Sequence, residues 1–185
     1  MTTRTDKLMT ELGYISMFFS NFDFLLNEIN SSLINLDNNK LGNHISSKLN
    51  TNARIELYKK LIEIIPFSKK IVDDAKLNII NFTETKKNRN EFIHGIWHTR
   101  WNDEISLSDF YIAKLQSPNW DDAREIKIED LRGIREGLRD LLDKQIKLNI
   151  ETLIEYRKIV DCELMQKEAT FSILKKMMES RELDG

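Results

Sequence analysis

Leu8, Ile15, Phe22, Ile29 and Leu36 recur at every seventh residue, and Leu12, Phe19, Leu26 and Leu33 fall between them. Spacings of three and four throughout draw one continuous apolar stripe along a helix, which predicts a helix from about Asp6 to Leu36. Phe18 and Phe24 widen that surface. A stripe this broad suits the inner face of an intramolecular bundle better than the narrow seam of a two-stranded coil. Little elsewhere forbids helix, because the chain has only two prolines, Pro66 and Pro118, and six glycines.

The same reasoning carries along the chain. Asp37-Asn38-Asn39 and Gly42-Asn43 read as a turn. A second helical region is predicted from about His44 to Ile65, with Leu49, Leu57, Leu61 and Ile64 as its face, Asn50–Asn52 as an interruption and Pro66 as its stop. A third helix starts near Ser68, a candidate N-cap. Ile71, Ala75, Ile79 and Phe82 face inward, and the helix runs to Gly95. After Gly95 the pattern changes. Trp97, Trp101, Ile105, Leu107, Phe110 and Ile112 include alternating and aromatic positions, which predicts a small β-hairpin inserted over 97–128. From Glu129 to about Arg181 the pattern is helical again, with Leu131, Ile134, Leu138, Leu141 and Leu148 leading the stripe. One very long helix and two with a break both fit. A helix outlasting its bundle would offer a surface to a partner or a second copy. The fold expected is mostly α, an up-and-down helical bundle with a small β-hairpin insertion and a long C-terminal helical region over 129–181.

Composition bounds the function. With 185 residues, the chain suits one domain, 1–185. Its net charge of −2 gives no general pull toward nucleic acid, so any such affinity needs a local patch. No apolar run is long enough to span a bilayer, the polar start Met1 to Lys7 leads into no signal-peptide core, and Cys162 has no partner for an internal disulfide. A cytoplasmic protein without a membrane partner is the expectation.

Chemistry concentrates in Lys86-Lys87-Asn88-Arg89-Asn90-Glu91-Phe92-Ile93-His94. Asn90 and His94 are four apart and share a helix face, while Arg89 sits one step round. An arginine can bond two phosphate oxygens at once, and a histidine beside it can move a proton near neutral pH. Lys86, Lys87 and Arg100 make the neighbourhood basic. His94 and His98 are also four apart, but Gly95 ends the helix between them and no Cys or carboxylate pair stands at ligand spacing, so neither a metal nor a cofactor is expected.

Arg89-Asn90-Glu91-Phe92-Ile93-His94 resembles the signature of the HEPN superfamily of helical domains, in which Arg, usually followed by a polar residue, precedes His by a few residues. The position late in a helix, after earlier helices and before a further one, agrees with that resemblance. It implies a metal-independent endoribonuclease, the toxin or effector of a bacterial defence or stress module, that cleaves RNA through attack of the ribose 2′-hydroxyl. His94 would move the proton, Arg89 would hold the phosphate, and Asn90 would orient either. It also implies a homodimer whose two sites face each other, and an antitoxin or other partner protein. Some members carry a modifiable Tyr two residues after the His; Ile96 stands there instead. Lys86, Lys87 and His98 are supporting candidates. So is Asp23, which could pair with Arg89 or fix the tautomer of His94, or simply be a solvated carboxylate. The motif also has a purely structural reading: His then Gly makes a sound helix ending. The rival function is a non-catalytic helical module of the same kind, for dimerisation and binding of a partner protein or nucleotide.

Overall fold

The structure is a computed structural model that describes residues 4–36, 39–94, 96–99, 110–113 and 124–182, with side chains over 6–36, 40–93 and 127–170. Five helices are present: α1 (Arg4–Ile34), α2 (Asn39–Ser46), α3 (Thr51–Ile64), α4 (Lys69–His94) and α5 (Ile128–Glu182). Among the described residues none of them is long and apolar enough to cross a membrane.

Side-chain contacts fix the helix directions. Asn27 donates to Asn43 Oδ1 (3.2 Å), and Gly42 lies against Ser31, so α2 folds back along α1. Lys86 donates to Asn52, and Lys76 lies 3.4 Å from Glu63, so α3 and α4 are antiparallel. Lys70 meets Glu151 (2.7 Å) and Asn78 meets Gln145 (2.7 Å), so α5 reverses again. Consequently α5 runs parallel to α1, with Arg132 beside Glu11 and Asn149 donating to the Leu25 carbonyl. The chain rises and falls in sequence order, as the apolar stripes require.

The core lies where α1, α3, α4 and α5 meet. Phe22, Leu26 and Ile29 of α1, Ile62 of α3, Ile79 and Phe82 of α4, and Leu131 and Leu138 of α5 are all fully buried. Each contributes roughly 1.5–3 kcal/mol by leaving water. Phe82 stacks between two rings of α1, 3.8 Å from Phe22 and 5.0 Å from Phe19, centroid to centroid.

Several expectations are corrected. The turn expected at Gly42-Asn43 lies inside α2; a Cβ on Gly42 would stand 2.0 Å from the Ser31 carbonyl oxygen, so the glycine serves close helix approach and not a turn. Asp37 and Asn38 lie outside the described residues. The α3 face is one step round from the one expected: Ile55, Tyr58 and Ile62 are buried, while Ile64 is 78% exposed. Arg54 sets that rotation, since it joins Asp23 of α1 and its carbonyl accepts from Asn30 (3.0 Å). Asn50 starts α3 by accepting from Ala53 N (3.0 Å), an N-cap. Ser68 stands just before α4, as expected of a cap, its carbonyl accepting from Val72 N (3.2 Å) and its hydroxyl donating to Glu155 of α5 (2.9 Å).

Between α4 and α5 lie three short strands, β1 (Ile96–Thr99), β2 (Phe110–Ala113) and β3 (Arg124–Ile126), paired antiparallel in that order. Ile96 stands opposite Ala113, and Phe110 opposite Ile126. A small β-hairpin insertion is expected over 97–128; the described strands there are three, paired antiparallel between 96 and 126. Ile105, Leu107 and Trp101 lie outside the described residues. The last helix is one, not two: its 55 residues have no break, and at 1.5 Å per residue they reach about 82 Å.

Candidate functional site

Arg89 and Asn90 stand five and four residues before the end of α4, at the end of the aromatic column. The Arg89 guanidinium lies 4.8 Å above the Phe19 ring, a cation–π contact. Its Nη1 donates to Asn90 Oδ1 at 2.9 Å. The two contacts fix the plane and direction of a side chain that otherwise has many rotamers. Partial burial lowers the Arg89 pKa from its ordinary value, the desolvation of a charge; an arginine so placed remains a cation. Because Asn90 Oδ1 is committed to Arg89, its amide nitrogen is the end left to turn toward a ligand.

His94 is the last residue of α4, one turn beyond Asn90. Its side chain lies outside the described part of the structure, as does that of His98, which stands in β1 opposite Tyr111. Lys86 reaches across to Asn52 of α3, and Lys87 is exposed. Asp23 joins neither Arg89 nor the solvent alone. It pairs with Arg54, whose other N–H groups donate to the carbonyls of Ser46 and Ser47, both at 3.1 Å. That guanidinium ties the C-terminal end of α2 to α1, so the described partner of Asp23 is Arg54 of the bundle and not Arg89. Among the described residues no three His, Cys, Asp or Glu side chains gather as a metal set.

A cavity of about 390 Å³ opens beside the motif, between Thr85, Asn88 and Phe92 of α4 and Asp130, Gly133, Ile134 and Gly137 of α5. Gly133 and Gly137 are four apart and share one face of α5; a Cβ on either would meet nothing within 4 Å. The missing side chains leave room against α4. Sequence reasoning missed this, although two glycines at helical spacing inside a long helix are a readable signal.

It also missed a chain of buried amides. Asn149 donates to the Leu25 carbonyl (3.2 Å), Gln145 to Asn149 (2.7 Å), and Asn78 to Gln145 (2.7 Å). A carbonyl can only accept, so it sets the direction of all three amides. The acceptor end, Asn78 Oδ1, is left at a second cavity of about 310 Å³ between α4 and α5, which Leu77, Lys144 and Leu148 also line. This chain cements α1, α4 and α5 at a level well removed from Arg89. Comparison with known protein families, with curated proteins and with solved structures finds no match for this chain.

Proposed function

We propose that the protein is a metal-independent endoribonuclease of HEPN type, acting as a toxin or defence effector. The observation that carries the reading is the state of Arg89. It is stacked on Phe19, hydrogen-bonded to Asn90, and placed five residues before His94 on the same helix. A guanidinium held in one orientation can meet a phosphate without first losing its rotamer freedom, and preorganised charge is what phosphoryl chemistry needs.

In this reading the RNA phosphate lies against Arg89, with the Asn90 amide nitrogen as a further donor. His94 takes the proton of the ribose 2′-hydroxyl. The 2′-oxygen attacks the adjacent phosphorus, the bond to the 5′-oxygen breaks, and that oxygen is protonated as it leaves. The products are a 2′,3′-cyclic phosphate and a 5′-hydroxyl. Lys86 and Lys87 supply the local positive potential that a net charge of −2 does not.

The rival reading, a non-catalytic module that dimerises and binds a partner, has one observation in its favour. All the residues of α5 from 161 to 170 are exposed, so the helix leaves its bundle. An assay separates the two. Pure protein is incubated with labelled RNA and matched DNA, with and without EDTA. RNA should be cut to cyclic-phosphate ends, EDTA should change nothing, and DNA should survive for want of a 2′-hydroxyl. His94→Ala should abolish cleavage. Arg89→Ala should slow it about 100-fold or more, as loss of an oxyanion-stabilising donor does. Cleavage that needs a divalent ion, or that His94→Ala retains, would falsify the mechanism; no cleavage of any RNA favours the binding module.

A further inference from the structure

We propose that α5 carries a seam that seats a second copy of this chain as a two-stranded coiled coil. The seam begins on the bundle and leaves with the helix. Ile146, Ile150, Leu153, Val160 and Leu164 fall at alternating spacings of four and three, with Arg157 filling the gap. Ile146, Ile150 and Leu164 are exposed and Leu153 and Val160 half-buried, Leu153 against the edge of the core, whereas Leu138, Leu141 and Leu148 on the bundle face of the same helix are buried. The sequence continues the spacing through Lys167, Phe171, Leu174 and Met178 while α5 stays helical to Glu182. Eight of these ten positions are apolar, and they repeat every 3.5 residues for more than four heptads, the period that keeps two helices in register.

Three arguments select a second copy as the occupant. The period is self-complementary: a helix that carries it matches any helix of the same period, and its own copy always has it. The charge is self-contained as well. Arg157 lies 3.1 Å from Asp161 on the same helix, and Lys167 follows Glu163 by one turn, so neither break in the seam calls for a partner of opposite charge. Finally, the area suffices. From residue 146 to 178 the strip is about 48 Å long and about 10 Å wide, so two copies cover on the order of 1,000 Å², the lower bound for a specific interface.

This interface is independent of the ribonuclease reading. Asn88 and Gly137 line the cavity, and along α5 the seam begins about 14 Å beyond Gly137, at Ile146, and reaches Leu164 about 40 Å beyond it. Two copies joined here meet away from Arg89, unlike the shared cleft that the HEPN resemblance implies.

The test is the mass of the full chain in solution by light scattering and sedimentation across the micromolar range. The chain should run at twice 21.8 kDa. Ile150→Glu with Leu164→Glu should give a monomer of unchanged helical content, since both side chains project from the bundle surface. Met165→Glu, on the outer face of the coil, should leave the dimer intact. A wild-type monomer, a dimer that survives the double variant, or a monomer from Met165→Glu overturns the proposal. None of these outcomes bears on RNA cleavage, which the wild type and the double variant can be assayed for separately.

Discussion

Residues 128–159 and 160–182 of α5 belong to one unbroken helix, and residues 161–170 of the second part have surroundings opposite to those of the first. The first part is held on three levels. Arg132 and Arg135 meet Glu11 at 3.3 Å and 2.9 Å, Leu131 and Leu138 are buried, and Gln145 and Asn149 join the amide chain to α1 and α4. In the second part, residues 161–170 are exposed without exception. Local propensity extends the helix through both, because no glycine or proline interrupts 138–184. What differs is what the apolar residues face. The period is the same, threes and fours alternating in both; the bundle stripe of Leu131, Leu138, Leu141 and Leu148 is buried, while the stripe that starts at Ile146 runs on past the bundle. Equal helix, then, does not mean equal contribution to the fold, and four measurements probe the difference.

The largest effect belongs to the packed part. Leu138 is 0% exposed, so Leu138→Ala removes its burial and leaves a hole that the surrounding helices only partly close. It should cost about 2–5 kcal/mol in chemical unfolding. A cost near zero would mean that the first part of α5 is no more integral to the bundle than the second.

Alkali probes the same region through Tyr58, which is fully buried and whose hydroxyl lies beside Gln145 and Thr152 of α5. Burial pushes its pKa from 10.0 up to about 12, and the nearby polar side chains of Gln145 and Thr152 pull the other way but less. The unfolded chain ionises first, so the stability linked to Tyr58 is whole below pH 10 and is lost as pH rises toward 12. A shift of that size corresponds to about 3 kcal/mol. Denaturant midpoints followed through that window should fall in the wild type, and Tyr58→Phe should remove most of this fall. An unchanged alkaline profile in Tyr58→Phe would assign the loss to other groups.

These contrasts show what the sequence could and could not reveal. The α1 stripe was legible because seven of its nine residues, from Leu8 to Leu33, repeat on one face and all seven are buried. The extent of α5 was legible, but one helix and two with a break fitted the pattern equally, and only the structure decides for one. The rotation of α3 was not, since Leu57, Leu61 and Ile64 make as good a stripe as Ile55, Tyr58 and Ile62, and only the distant Asp23–Arg54 pair decides between them. Gly42 looked like a turn because local pattern does not register a helix packed 2.0 Å from its missing Cβ. At the candidate site, the Arg89–Asn90 contact follows from adjacency on a helix, whereas Phe19 beneath the guanidinium comes from 70 residues away and could not be read. The cavity at Gly133 and Gly137 needed both helices in place.

A third measurement uses Glu11, 6% exposed and shared by Arg132 and Arg135. Glu11→Gln keeps the shape and removes the charge. The two arginines retain access to water, being 49% and 27% exposed, so they recover part of their solvation. The loss should therefore be about 1–3 kcal/mol, in the range for a buried hydrogen bond broken to a charged group, and it should be read by thermal unfolding. A larger loss than that of Leu138→Ala would place the anchor of α5 in its ion pair and not in its apolar face.

The smallest effect, and the one that sharpens the comparison most, belongs to Leu164. It is chemically the same residue as Leu138, on the same helix, but 49% exposed. Leucine to alanine on a helix surface loses little propensity, alanine being the better helix former, and no cavity forms where nothing is packed. At dilutions where the chain is monomeric, Leu164→Ala should change unfolding free energy by less than about 0.5 kcal/mol. At concentrations where copies associate, the same substitution should lower the unfolding midpoint, because a seam contact between copies then adds to the folded state by mass action. A concentration-independent midpoint for both chains would mean that the second part of α5 is a bare helix in solution. A cost of several kcal/mol in the monomer would mean that it folds back onto the bundle, and the contrast between the two parts of α5 would disappear.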